Sequence, residues 1–195
     1  RDELVEAFSA DRILKKSAVF DLEKLEWLNG RHLAEKPTRE LLGRVRSRLE
    51  QVDGADPELL ADDDWMAEMV GLLKVRSRTV DELALQAGPY IRDELVFEET
   101  AVAKHWTRDP EAALERMSRL MVVLEESEWT EDALEEDLRA LAAEMEVGAG
   151  KVIHPLRVAL TGQMSSPGIF EVLVLLGRER SLQRLRQGIE RARDL

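Results

Sequence analysis

The sequence predicts an all-α protein built as two consecutive helical bundles. Three observations carry that prediction. Ala, Leu, Glu and Arg dominate the 195 residues, only 11 glycines and 6 prolines interrupt them, and β-branched residues are few; this composition favours helix over strand. Apolar residues recur at intervals of three and four rather than two, the spacing of a single buried stripe on a helix. Capping residues stand just ahead of several of those stripes, where helix starts need them. The length suits one domain or two small ones. Gly88-Pro89 is the best internal break, dividing a first subdomain at 1–90 from a second at 91–195.

The elements follow in order. Asp2–Phe8 is a short amphipathic piece, expected to be the end of an element that continues from a preceding domain. Asp21 caps a helix through Leu22, Leu25 and Leu28, for which Asn29-Gly30 is a stop signal. Thr38 starts a helix with Leu41, Leu42, Val45 and Leu49 on one face, ending near Asp53-Gly54. Asp56-Pro57 opens another, because proline is tolerated at the first helical position. Trp65, Met69, Leu72 and Leu73 then form a stripe running toward Arg76. Thr79 and Glu82 make a capping box, and Asp109-Pro110 opens a helix carrying Leu114, Met117, Leu120, Met121 and Leu124. Thr130 caps the next, with Trp129 and Leu134 at the positions of a hydrophobic staple. Pro155 is the expected first residue of an apolar helix. Ser166 with Pro167 caps Ile169–Leu176, and Gly177 separates that segment from a final helix.

The formal net charge of −12 weighs against nucleic-acid binding by the surface as a whole, because phosphate contacts draw on basic side chains. The charge is uneven, however. Residues 1–90 carry 14 basic and 19 acidic side chains (net −5), residues 91–150 carry 6 and 17 (net −11), and residues 151–195 carry 8 and 4 (net +4). The last segment, Lys151–Leu185, reads as a basic ledge rich in helix starts and turns. With no cysteine in the chain, disulfides and thiolate metal sites are excluded, and a reducing cytoplasm is the compatible compartment. No apolar run approaches the roughly 20 residues that span a bilayer, and no signal peptide is visible.

Catalytic and metal chemistry find no support in the side chains. His32, His105 and His154 share no metal-ligand spacing, and no HExxH occurs. Asp62-Asp63-Asp64 and Glu135-Glu136-Asp137 read as helix surface. Neither GxGxxG nor GxxxxGK[ST] is present. Trp27, Trp65, Trp106 and Trp129 stand on apolar stripes or just before a cap, so core packing is their expected role. Arg178, Arg180, Arg184, Arg186, Arg191 and Arg193 form a basic run that either tracks phosphates or marks a solvated face. Arg157, placed in a first turn by Pro155, has the fork geometry to make two parallel bonds to a base edge or phosphate; position alone favours an ordinary surface arginine or one paired with a carboxylate. Ser166, Pro167 and Ile169 offer a small hydroxyl, free helix amides and apolar surface to an unstacked base, and also the makings of a plain helix cap.

Three segments carry a family resemblance: SAVFDLEKLEWLNG (Ser17–Gly30), EWTEDALEEDLRALAAE (Glu128–Glu144), and HPLRVALTG followed by SSPGIFEVLVLLGRERSLQRL (His154–Leu185). In this order they resemble the C-terminal anticodon-binding region of bacterial glutamyl-tRNA synthetases, which are class I enzymes. The HIGH-like and KMSKS-like signatures that grip ATP in that class are not found. The resemblance therefore implies a C-terminal fragment with no catalytic residues and no cofactor of its own. The expected parent is a glutamate–tRNA ligase whose catalytic domain uses ATP and Mg2+.

The same resemblance implies the site. Arg157 matches an arginine that touches the anticodon, and Ser166, Pro167 and Ile169 match the turn that wraps its first two bases. Arg76 aligns with the arginine that reads the third base and favours glutamate tRNA over glutamine tRNA, with Lys74 and Arg78 as alternatives in register. The implied partner is tRNA-Glu, bound by a cytoplasmic monomer that does not engage a membrane. A different class of function, an acidic helical protein–protein interaction module without RNA binding, is the alternative that the −12 charge motivates.

Overall fold

A computed structural model of the chain describes residues 1–12 and 19–195. Ser17 and Ala18, the first two residues of the SAVFDLEKLEWLNG segment, lie outside the described residues. The described residues are helical throughout, with no strand and one isolated bridge, Ala55 to Arg92. The helices are α1 (Asp2–Ala7), α2 (Leu22–Glu35), α3 (Thr38–Leu49), α4 (Pro57–Ala61), α5 (Asp63–Lys74), α6 (Val80–Ile91), α7 (Glu99–Val102), α8 (Pro110–Glu126), α9 (Glu131–Glu144), α10 (Gly150–Thr161) and α11 (Ile169–Arg193). A single 3-10 turn spans Ala10–Arg12, and a π turn, Ala103–Thr107, continues α7.

Local chemistry explains most of the starts. Asp21 accepts from the Lys24 N–H at 3.0 Å, Asp56 from Glu58 at 2.9 Å, Thr79 from Glu82 at 3.0 Å, and Asp109 from Ala112 at 3.4 Å. The Thr79 box is modified: Glu82 accepts from the Arg78 N–H (2.6 Å) rather than from Thr79 itself. The helix that Asp56-Pro57 opens is short, and a second begins before the Trp65 stripe. Asp62 turns the chain and caps α5 by accepting from Asp64 and Trp65, both at 3.0 Å. Asp62→Ala removes both bonds, so urea unfolding should find it about 1 kcal/mol less stable than the parent. An unchanged midpoint would mean that packing alone fixes this break.

The stripes read on α3, α5 and α8 supply buried core residues, whereas Leu22, Leu25 and Leu28 of α2 stay exposed and only Leu33 of that helix is buried. Leu41, Leu42, Val45 and Leu49 of α3 pack with Met66, Met69, Val70 and Leu73 of α5, and α6 packs on both helices. Met117, Leu120 and Leu124 of α8 pack with α9, α10 and α11. Trp106 is buried, and Trp65 and Trp129 lie partly buried against the core. Their indole N–H groups donate to the carbonyls of Pro155, Leu175 and Leu173 respectively. Trp27 departs from the expected core role: it is 56% exposed, with Arg31 stacked on its ring at 5.5 Å.

Three punctuation marks in the sequence have a different meaning in space. Asn29-Gly30 does not end α2. The Asn29 amide donates to the Arg78 carbonyl, and a Cβ on Gly30 would lie 3.4 Å from Arg78 Cα and Ser77 O. The pair therefore allows two backbones to approach. Gly88-Pro89 sits inside the last turns of α6, which ends at Ile91. Pro155 lies within α10, not at its start; the bond it forgoes would have ended on Lys151, in the exposed first turn. Gly177 does interrupt the long C-terminal helix, with φ 73° and ψ 166°.

Candidate nucleic-acid interface

Two arginines, one on α10 and one just after α5, act on each other through their charges. Arg157 projects from the third turn of α10, since that helix starts at Gly150 rather than Pro155. Its side chain is half-buried, and its Nε has no hydrogen-bond partner among the described residues. Burial is the first cause lowering its proton affinity, and the charge of Arg76 is the second. Arg76 lies exposed in the turn just after α5. Both also act on Tyr90 of α6, the only tyrosine of the chain. Burial pushes its hydroxyl up to about 12, against the opposing pull of Arg76, Arg184 and Arg157.

Neither Arg76 nor Arg157 forms an ion pair among the described residues, although the chain carries 40 carboxylates. Two neighbouring cations that no carboxylate neutralises raise the local potential and keep planar donor forks available to an outside acceptor. The alternatives in register are occupied. Lys74 donates to the Lys36 carbonyl at 2.7 Å, and Arg78 pairs with Glu26 at 3.0 Å.

Ser166, Pro167 and Ile169 lie on the turn between α10 and α11 and make no hydrogen bond to either arginine among the described residues. Ser166 is not the cap of α11. Its hydroxyl donates to the Pro167 carbonyl (2.8 Å), and the Glu171 carboxylate closes the helix start by accepting from the Gly168 N–H (2.8 Å). Pro167 is buried and Ile169 is 3% exposed. The expected apolar platform for a base is thus turned into the core, because Ile169 anchors α11 there. The part of this turn that faces outward is Ser165, Ser166 and Gly168.

The arginine run of α11 serves the fold. Arg178 donates to the carbonyls of Glu125 and Ser127 (both 2.6 Å) and stacks on Trp129 at 5.2 Å. Arg180 pairs with Asp56 (3.1 Å) and Asp93 (2.7 Å), and Arg184 is buried. Arg191 lies over Phe97 at 4.8 Å. The phosphate-tracking reading of the run therefore fails at Arg178, Arg180 and Arg184, whose donors are engaged within the chain, while Arg191 is engaged only by its face. Among the described residues no three His, Asp or Glu side chains are grouped to hold a metal ion, and no helix is long and apolar enough to cross a membrane.

A family model described as an anticodon binding domain matches residues 40–189. The chain belongs to the anticodon-binding domain family. This anticodon-binding domain is 39% identical over 186 residues to glutamate–tRNA ligase 1 of Sphingopyxis alaskensis, covering 95% of this chain and 38% of that protein. With the glutamate–tRNA ligase of Thermus thermophilus it shares 37% identity over 190 residues, covering 96% of this chain and 39% of the relative. A solved glutamate tRNA ligase from Elizabethkingia meningosepticum superposes with a TM-score of 0.83 at 25% identity, over 97% of this chain and 36% of that one. The chain thus spans about two fifths of the length of the curated relatives it matches. These are the proteins to which the three sequence segments pointed. Sequence reasoning passed over Tyr90, and its being the lone tyrosine gave no sign that the charges of Arg76 and Arg157 act on it.

Proposed function

We propose that this domain is the tRNA-binding, anticodon-reading part of a glutamate–tRNA ligase. One observation carries the reading: Arg76 and Arg157, distant in sequence, lie within electrostatic reach of each other and of buried Tyr90, and neither forms an ion pair among the described residues. A guanidinium that a bound base covers suits base reading, because a wrong base then leaves its donors desolvated and unpaired, costing roughly 1–3 kcal/mol. Arg76 reads the third anticodon base, Arg157 holds the anticodon loop, and Ser166 with the backbone from Ser165 to Gly168 contacts the first two bases. Pro167 and Ile169 support that turn from beneath.

Residues 1–90 and 91–195 form two consecutive helical subdomains in this reading, joined through Arg180, which reaches Asp56, and Trp65, which donates to the Leu175 carbonyl. The protein acts in the cytoplasm as a monomer. The remainder of the ligase activates glutamate with ATP and Mg2+ and transfers it to tRNA-Glu; no residue of this chain takes part in that chemistry.

The test is a binding titration at low salt with a tRNA-Glu transcript and a copy carrying the third anticodon base of glutamine tRNA. The parent should prefer the glutamate anticodon by about tenfold or more, as one lost bidentate contact implies. Arg76→Gln should erase the preference, while Arg157→Ala should weaken both RNAs. A parent that binds both alike removes Arg76 from the discriminating role, and a parent that binds neither sinks the reading.

A further inference from the structure

A cleft of about 600 Å3 opens between the π turn, the start of α8 and the first turn of α10. Four cations line it: Lys104 from the π turn, Arg108 just after it, Arg116 from α8 and Lys151 from α10. None of the four forms an ion pair among the described residues, and Asp109 is the one carboxylate in the lining. Asp109 already accepts from the Ala112 N–H. In a chain of net charge −12, three elements thus turn their cations into one concavity, which a merely solvated face would not require. Concave walls of one sign focus the potential and draw in anions.

The floor is built for hydrogen bonding. The rings of His105 and His154 stack with centroids 4.8 Å apart and planes at 21°. His154 Nδ1 is buried with no partner among the described residues. Burial first, then surrounding cations, hold both imidazoles below the ordinary histidine range: His154, Lys104, Arg157 and Lys151 act on His105, and Arg157 and Lys104 on His154. The π turn itself brings Lys104 and His105 to this wall, a distortion common where a helix serves a ligand. Gly148 and Gly150 line the mouth without side chains, and Ala149 gives α10 no side-chain cap.

We infer that this cleft binds a backbone phosphate of the RNA strand whose bases are read at Arg157. The inference rests on the proposed function and adds a sequence-independent anchor to it. Lys151, His154 and Arg157 lie three residues apart along α10, so a strand held at Arg157 continues over the cleft. The imidazoles stay neutral at pH 7, and an arriving phosphate takes them toward the protonated form. Binding therefore consumes protons, and affinity rises as the pH falls through the histidine range.

The experiment uses the whole chain, the tRNA-Glu transcript and its third-base variant, over a range of salt and between pH 5.5 and 8. Arg108→Glu with Lys151→Glu should weaken both RNAs alike, by tenfold or more at about 0.1 M salt, and flatten the slope of log affinity against log salt by about 0.7–0.9, the loss of one phosphate contact. The preference between the two RNAs should stay at the parent's value. His105→Gln with His154→Gln should abolish the gain in affinity at low pH; Lys104→Glu, at an exposed position, repeats the charge test if a double variant fails to fold. Variants that keep the parent's affinity and salt slope, while the parent still discriminates, overturn the cleft and leave the anticodon reading standing. A changed preference between the RNAs would mean base contact and overturn the phosphate role. Inorganic pyrophosphate that fills the cleft at micromolar concentration and leaves RNA binding untouched would assign it to a free anion instead. A parent that binds neither RNA removes the cleft together with the reading beneath it.

Discussion

Arg184→Met is expected to unfold with about 3 kcal/mol less stability than the parent, one of the two largest losses expected of any single change here. Arg184 is 2% exposed, yet it is a cation. Its two terminal nitrogens donate to the carbonyls of Leu160 in α10 (2.7 Å) and Arg92 just beyond α6 (2.6 Å). Burial draws its pKa down to about 10, with Arg180 acting the same way and Asp93 and Tyr90 opposing. The side chain therefore remains charged at neutral pH. Methionine fills much of the space but donates nothing, so two buried carbonyls lose their partners at about 1–3 kcal/mol each. Relief from burying a charge offsets part of that cost. The melting temperature should fall by about 6–12 °C, given about 2–4 °C per kcal/mol for a chain of this size. Thermal unfolding followed by circular dichroism checks it. A methionine variant within about 1 kcal/mol of the parent would show that shape alone, not the forked donor, joins α6 to α10.

Gly162→Ala should cost about 3 kcal/mol or more and should loosen the turn that carries Ser166. Gly162 ends α10 with φ +71°, a left-handed conformation that costs a side-chain-bearing residue about 1–2 kcal/mol. Space adds a second penalty. A Cβ there would stand 2.3 Å from the Val96 carbonyl oxygen and 3.0 Å from its carbon, both backbone atoms. The 96–98 segment cannot withdraw easily, because the Glu98 N–H donates to Gly162 O (2.8 Å) and the Glu98 carboxylate accepts from Met164 N–H (3.0 Å). Gly54→Ala is the control: φ is +74°, and nothing lies within 4 Å of its would-be Cβ. That variant should lose only the conformational cost, about 1 kcal/mol. Equal losses in urea unfolding would mean that the close approach to Val96 contributes nothing. If Gly162→Ala also weakens tRNA binding while Gly54→Ala does not, the 163–168 turn is part of the interface.

The two variants bear on one arrangement. Arg184 and Gly162 hold α10 and the following turn against the end of α6 and the 92–98 segment. Arg157 lies on the first of these bodies and Tyr90 on the second. The geometry of the arginine pair therefore depends on residues that never face the RNA, and a partial loss at either anchor should blunt discrimination before it unfolds the chain.

By itself the sequence determined the helical class, the capped starts at Asp21, Asp56, Thr79, Asp109 and Thr130, the buried stripes and the break at Gly177. Each depends on chemistry within a few residues: a side-chain oxygen beside free amides, or apolar groups three and four apart. The family was legible for the same reason, since its motifs are contiguous. Only the tertiary structure decided that Asn29-Gly30 serves a close approach to Arg78, that Gly88-Pro89 and Pro155 lie within helices, and that Ile169 faces inward. It alone brought Arg76 within electrostatic reach of Arg157 and stacked His105 on His154, residues 81 and 49 positions apart. Those outcomes turn on which distant surfaces meet and which charges remain without a partner once the helices have packed. No local pattern encodes that, because the free energy responsible belongs to contacts between segments rather than within them.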